Sequence, residues 1–236
     1  MNFTIDPEMI PSGKNNEITE NVTFHVSQVD LKTTRIWFGN EDQSNVYNPP
    51  ADVVNTKAAT NENTLESLGF MIYANPFEFE LRSTRTLKDT LINMKGADFV
   101  ISDKYLQLDL QVPSQKIYGF GERHRQFTLE KGTWTMWANG QASPYDNGQG
   151  GLQTYGVHPF ALIQTQVEGE FIGLYFRNTN AASPVIRHNK ATPGVQPLTD
   201  PGAALSYITT GGDIEIFVFV KGDAKGIIKQ YQNFVG

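Results

Sequence analysis

Apolar positions along most of this chain recur every second residue, the spacing of strands with one face buried. Residues 1–20 are polar and rich in Asn, Glu, Pro and Gly, which predicts an N-terminal arm, either loose or a first strand supplied to a neighbour. Alternation then sets in with Val22, Phe24, Val26 and Val29 leading to Leu31, and Ile36 and Phe38 resume it after Lys32-Thr33-Thr34-Arg35, the expected turn of a hairpin. Residues 39–63, dominated by Asn, Asp, Pro and Ala, read as a long surface connection. From Phe70 strand signals are dense: Met71-Ile72-Tyr73, then Phe77, Phe79 and Leu81 on one face, then Leu87, Leu91, Phe99-Val100-Ile101, Leu106, Leu108 and Leu110. Residues 160–165, 171–176, 204–208 and 214–220 add four more. Only residues 223–235 carry a helical spacing, with Ile227, Ile228, Tyr231 and Phe234 predicted to form one apolar face. Many short strands separated by turn residues predict an all-β fold, an antiparallel β-sandwich with a short C-terminal helix, with residues 21–236 as one domain behind the arm.

Composition narrows the classes of partner. A chain of 236 residues with 39% hydrophobic residues is long enough to bury a full core. Its 25 acidic residues outnumber 19 Lys and Arg, and a net charge of −6 opposes binding to nucleic acid or an anionic membrane surface. Cysteine is absent, which excludes disulfides and thiolate metal ligation. The first residues, Met1-Asn2-Phe3-Thr4-Ile5, show neither the basic nor the apolar region of a signal peptide, and no stretch has the apolar length of a membrane span. The compartment is therefore left open, with the sequons at Asn2-Phe3-Thr4 and Asn21-Val22-Thr23 compatible with a secretory one.

Two motifs carry the candidate chemistry: Tyr118-Gly119-Phe120-Gly121-Glu122-Arg123 and Tyr155-Gly156-Val157-His158-Pro159-Phe160. Around them, in order, come Phe77-Glu78-Phe79-Glu80-Leu81-Arg82, Gly173-Leu174-Tyr175-Phe176-Arg177-Asn178-Thr179-Asn180-Ala181 and Gly211-Gly212-Asp213-Ile214-Glu215-Ile216-Phe217-Val218-Phe219. This ordered set resembles the N-terminal, galactose mutarotase-like β-sandwich of family 31 glycoside hydrolases, the α-glucosidase family of maltase-glucoamylase and sucrase-isomaltase. In such enzymes a following (β/α)8 barrel carries both catalytic carboxylates, so the resemblance implies a chain of 236 residues that lacks the catalytic domain. It also implies a secretory or extracellular setting, and a protein partner over the surface that packs on the barrel. Read without the resemblance, the glycines of the first motif supply positive φ or close backbone approach, and Glu122 can accept hydrogen bonds at the corner. Tyr118, Gly119, Gly121, Glu122, Tyr155, Gly156, His158 and Pro159 are accordingly read as architectural, and Asn178-Thr179-Asn180 as a turn.

The resemblance also implies a loop between the two motifs where an Asp holds the substrate's non-reducing sugar, in a Trp-Asn-x-Asp pattern. Here Trp137-Ala138-Asn139-Gly140 puts Gly140 at the Asp position and Ala138 at the Asn position, and each lost charge-assisted bond would cost about 1.5–3 kcal/mol. Asp146 could replace it only through a different loop path. The Gly-rich stretch 147–151 lacks the Lys-Ser/Thr of a phosphate loop. Its flanks carry Trp134, Trp137, Tyr145 and Tyr155, rings that stack on sugars, pack an interface or fill the core. Trp134, Trp137, Asn139, Gln141, Tyr145 and Asp146 are thus the candidate contacts with carbohydrate, an α-glucoside or glycan, or with a protein partner. No catalytic residue, cofactor or metal is expected. The one catalytic alternative is sugar-ring epimerisation by Glu122 with His124 or His158, and the scattered His25, His124, His158 and His188 lack metal-ligand spacing. Two functions remain: a non-catalytic structural, assembly or carbohydrate-contacting module, or the N-terminal portion of an α-glucosidase working with a separate or missing barrel.

Overall fold

The computed structural model describes residues 1–10, 17–18, 21–39, 49–50, 68–83, 89–124, 126–138, 153–188 and 202–236. Their strands, in chain order, are β1 (Asn2–Ile5), β2 (Glu17–Ile18), β3 (Val22–Asp30), β4 (Thr33–Gly39), β5 (Leu68–Ala74), β6 (Phe77–Ser83), β7 (Thr90–Asn93) and β8 (Phe99–Ser102). They continue with β9 (Tyr105–Val112), β10 (Ile117–Arg123), β11 (Gly132–Thr133), β12 (Gln153–Gln164), β13 (Phe171–Phe176), β14 (Val185–His188), β15 (Ala203–Thr209) and β16 (Ile214–Gly222), followed by helix α1 (Ala224–Val235). One sheet runs β1-β3-β4-β16-β13-β12-β10 and the other β11-β14-β15-β9-β7-β6-β5, with β8 beside β9 and β2 beside β8. All pairings are antiparallel except β2 with β8. The result is an antiparallel β-sandwich with one C-terminal helix.

Period-two patterning explains the layers. On the first sheet Phe24, Ile36, Phe38, Ile216, Val218, Leu174 and Ile163 turn inward to meet Phe77, Phe79, Leu81, Leu108, Leu110 and Leu205 of the second. The aromatic heart of this core joins Phe24 to Phe38 at 4.8 Å and Phe38 to Phe99 at 5.1 Å, while Phe176 of β13 stacks on Tyr207 of β15 at 4.1 Å. Burying each such ring contributes about 1.5–3 kcal/mol.

The outer face of the first sheet is also apolar where α1 covers it. Asp223 caps the helix by accepting the Gly226 amide at 2.8 Å. Tyr231 then stacks on Phe160 at 4.3 Å and Phe234 lies against Phe217 at 4.5 Å. Gly173 makes this approach possible, because a Cβ there would sit 2.7 Å from Ile227 Cγ2 and 2.8 Å from Phe160 Cε2. Beside the helix, buried Glu215 is bracketed by Arg35 on β4 and Arg177 after β13, and Asp213 accepts the Trp37 indole N–H at 2.8 Å. Burial pushes the Asp213 carboxyl above the usual aspartate range.

Several sequence expectations need adjusting. The hairpin turn sits at Leu31 and Lys32, and Thr33 to Arg35 already belong to β4, because Asp30 accepts both the Lys32 amide and the Thr33 hydroxyl and closes the turn early. Residues 2–5 of the expected arm form the edge strand β1, paired with β3 in this same sheet. Ile228 is an exposed residue, since a 100° step from Ile227 carries it off the buried face. Most of 39–63, and Leu87, lie outside the described residues.

Candidate functional site

The end of β10 is where the chain departs from regular strand. Its register with β12 shifts twice, between Gly119 and Gly121 and again between Gly121 and Arg123. Gly119 has φ +118°, and a Cβ there would lie 2.2 Å from the Phe160 carbonyl oxygen, so only glycine fits. Gly121 has neither constraint; the nearest atom to an added Cβ is the Arg123 nitrogen at 4.0 Å. Phe120 adopts φ +46° with its ring fully buried, a conformation that costs a non-glycine residue about 1–3 kcal/mol and is held by the core around it. Tyr118 packs its half-buried ring on Phe127 at 5.1 Å.

The irregular end delivers Glu122 and Arg123 to neighbouring segments of the same chain. Glu122 Oε2 accepts the amides of Tyr155 and Gly156 at 3.1 and 3.0 Å. The nearby Thr154 hydroxyl, these two amides and His158 hold the Glu122 carboxyl below the ordinary glutamate range. Arg123 donates through Nε to the Phe120 carbonyl at 3.0 Å and through Nη2 to the Thr135 carbonyl, with its guanidinium over the Trp134 ring. Burial pulls the Arg123 guanidinium below its usual range.

Residues 129–136 bridge the open edge of the sandwich. Leu129 donates its amide to Ile117 of β10, whereas Trp134 and Met136 donate theirs to Pro184 and Ala182 beside β14. Trp134 therefore plugs the core at 3% exposure, its indole N–H on the Glu130 carbonyl at 3.1 Å. Trp137, three residues on, is 58% exposed, and Tyr155 is 61% exposed. Linking the two segments is Gln153 at the start of β12, 4% exposed, whose Oε1 accepts the Trp137 amide at 2.5 Å and whose Nε2 donates to the Gly156 carbonyl at 3.1 Å.

The structure thus brings together Glu122, Trp137, Tyr155, Gly156 and His158 at one end of the sandwich, while Trp134 faces inward. His158 is exposed and crowds Gly156: a Cβ on that glycine would meet His158 Nε2 at 2.9 Å. Pro159 is half-buried beside it. Asn139, Gly140, Gln141, Tyr145 and Asp146 lie outside the described residues. Asn178 acts within a turn, donating to the Gly211 and Asp213 carbonyls at 2.9 and 3.0 Å and accepting the Asn180 amide at 2.7 Å. Gln153 and Arg123 had no role in the sequence reading. A buried polar side chain at the first position of a strand leaves no periodic signal. Among the described residues no group of three or more His, Asp or Glu is placed to hold a metal. A separate concavity of about 450 Å³ lies at the start of β10, around Lys116, Leu129, Glu130 and His188, with no Trp, Tyr or Phe in its described wall.

Comparison with known proteins places this geometry. Human intestinal sucrase-isomaltase is 28% identical over 193 residues, covering 79% of this chain and 9% of that protein. Rat (Rattus norvegicus) lysosomal α-glucosidase is 31% identical over 149 residues, covering 62% of this chain and 14% of that protein. A Tris-bound glucosidase II α subunit superposes with a TM-score of 0.72 at 13% identity, over 92% of this chain and 31% of that one. A Flavobacterium johnsoniae GH31 dextranase superposes at 0.66 and 15% identity, over 93% and 26% of the two chains. The chain therefore spans a minor part of the length of these relatives. Residues 15–183 match the family model described as the glycosyl hydrolase 31 N-terminal galactose mutarotase-like domain, and the chain belongs to that family.

Proposed function

We propose that this domain is a non-catalytic module of a carbohydrate-processing system, and that the sandwich end bearing Trp137 and Tyr155 is its carbohydrate-contacting surface. The observation that carries this reading is the pair of rings, each more than half exposed, on two chain segments that Gln153 ties together. Exposed rings on fixed backbone are suited to stacking on sugar rings at low entropic cost. Hydrolysis would need a second carboxyl group about 5–9.5 Å away across a glycosidic bond. Among the described residues the groups acting on Glu122 are Thr154, Gly156, Tyr155 and His158, none of them a carboxylate, and Oε2 is already engaged by two amides. Calorimetric titration of the 236-residue protein with maltotetraose should give saturable binding, with no glucose released from maltose. Glucose release by the purified chain would overturn the non-catalytic reading.

A second reading, the N-terminal portion of an α-glucosidase acting with a (β/α)8 barrel, is favoured by coverage of only 9% of sucrase-isomaltase and 31% of the glucosidase II α subunit chain. The mass of the native particle, with identification of co-purifying chains, separates the two. A barrel polypeptide in the particle supports this second reading, and a barrel-free assembly supports the first.

A further inference from the structure

We infer that Gln153 is a positioning residue that fixes the backbone of Trp137, and with it the direction in which the exposed indole is presented. Trp137 stands where the ribbon of residues 132–136 ends: Met136 and Ala182 exchange amide-to-carbonyl bonds at 2.7 and 3.0 Å, whereas the Trp137 amide turns instead to a side chain, Gln153 Oε1, at 2.5 Å. The same side chain donates to the Gly156 carbonyl at 3.1 Å, so both ends of its amide are used. Gly156 is held independently by Glu122, and the ribbon by Arg123 through the Thr135 carbonyl. Gln153 is therefore the cross-tie between two separately anchored stems, and it is buried enough that water competes poorly for its bonds. An alanine or methionine at 153 would leave the Trp137 amide without this acceptor, while a glutamate would keep the acceptor and lose the donor to Gly156.

The inference adds a role to the end of the sandwich assigned above and rests on that reading only for its effect on sugar binding. Amide hydrogen exchange of the full chain tests it directly. In Gln153→Met the Trp137 amide should exchange about tenfold faster than in the wild type. Met136 and Ala182 should keep their protection, and Gln153→Glu should retain most of the Trp137 protection. Equal Trp137 exchange in the wild type and Gln153→Met would overturn the inference. So would loss of protection at Met136 and Ala182 together with Trp137 in both variants, since Gln153 would then serve the ribbon as a whole. Maltotetraose provides the second readout: Gln153→Met should weaken its binding several-fold without touching either ring. A wild type that does not bind maltotetraose would sink the carbohydrate reading, while the exchange data would still decide the cross-tie.

Discussion

Two glutamates on the same sheet hold the chain in opposite ways. Glu215, on the outer face beside α1, is buried between the guanidinium groups of Arg35 and Arg177. Glu122, at the β10–β12 end, is exposed and accepts two backbone amides. The first arrangement withdraws three charges from water and is tolerable only while all three remain together. The second keeps the carboxylate solvated and uses it to set the path of a neighbouring segment. One region contributes to folding and rigidity; the other organises a surface. The energetic cost of disturbing each should differ accordingly.

The hardest break of that comparison is Glu215→Ala. It removes the carboxylate that Arg35 and Arg177 share, and should destabilise the domain by about 3–5 kcal/mol in urea or thermal unfolding. A loss below about 1 kcal/mol would mean that water reaches the cluster and that the two glutamates are alike after all. Next in size is Gly173→Ala, in the same region. The added Cβ would press on Ile227 and Phe160, pushing α1 off the sheet at an expected cost of about 1–3 kcal/mol, with near-ultraviolet circular dichroism reporting loosened Tyr231 and Phe160 packing.

The two regions were also unequally legible in the sequence. Period-two patterning was enough to expect the inward faces, and the spacing of Ile227, Ile228, Tyr231 and Phe234 was enough to expect an amphipathic α1, although Ile228 falls off its buried face. The Gly119 to Glu122 motif announced a special backbone at Gly119, although Gly121 needs no special φ and has room for a side chain. The arginine bracket around Glu215 left no local trace. Arg35 lies 180 positions from Glu215 in the chain, and only the pairing of β4 with β16 brings them together. Gln153 was equally silent, because what defines it is the amide of a residue sixteen positions back at the other stem. Trp134 and Trp137 looked equivalent as a pair of rings. Their fates separate because the bridging segment alternates across the sandwich edge, so its fixed point is the pairing of Met136 with Ala182, invisible in composition.

That pair sharpens the comparison on a finer scale. Trp137→Ala should change stability by less than about 0.5 kcal/mol, since its ring is 58% exposed and lies outside the core. The same substitution at Trp134, 3% exposed, should cost about 3–5 kcal/mol. Equal losses at the two positions would show that Trp137 is packed in solution and unavailable as a contact surface.

The smallest effect belongs to Glu122. Its folded carboxyl titrates below the usual range because the ionised form is favoured by the nearby Thr154 hydroxyl and is the better acceptor for the Gly156 and Tyr155 amides. A depressed folded pKa means that its contribution is complete above the ordinary glutamate value of about 4.3 and fades as pH falls through the lower folded one. The amide proton shifts of Tyr155 and Gly156 should therefore titrate together, with a midpoint below that of an unstructured glutamate peptide. Glu122→Gln should abolish that shared transition while leaving the fold intact, because an amide oxygen can still accept from one or both donors. A midpoint at or above the peptide value would mean that these amides release the carboxylate in solution. The β10–β12 end would then owe its shape to the Gly119 contact with Phe160 and to Arg123, with Glu122 reduced to a surface charge.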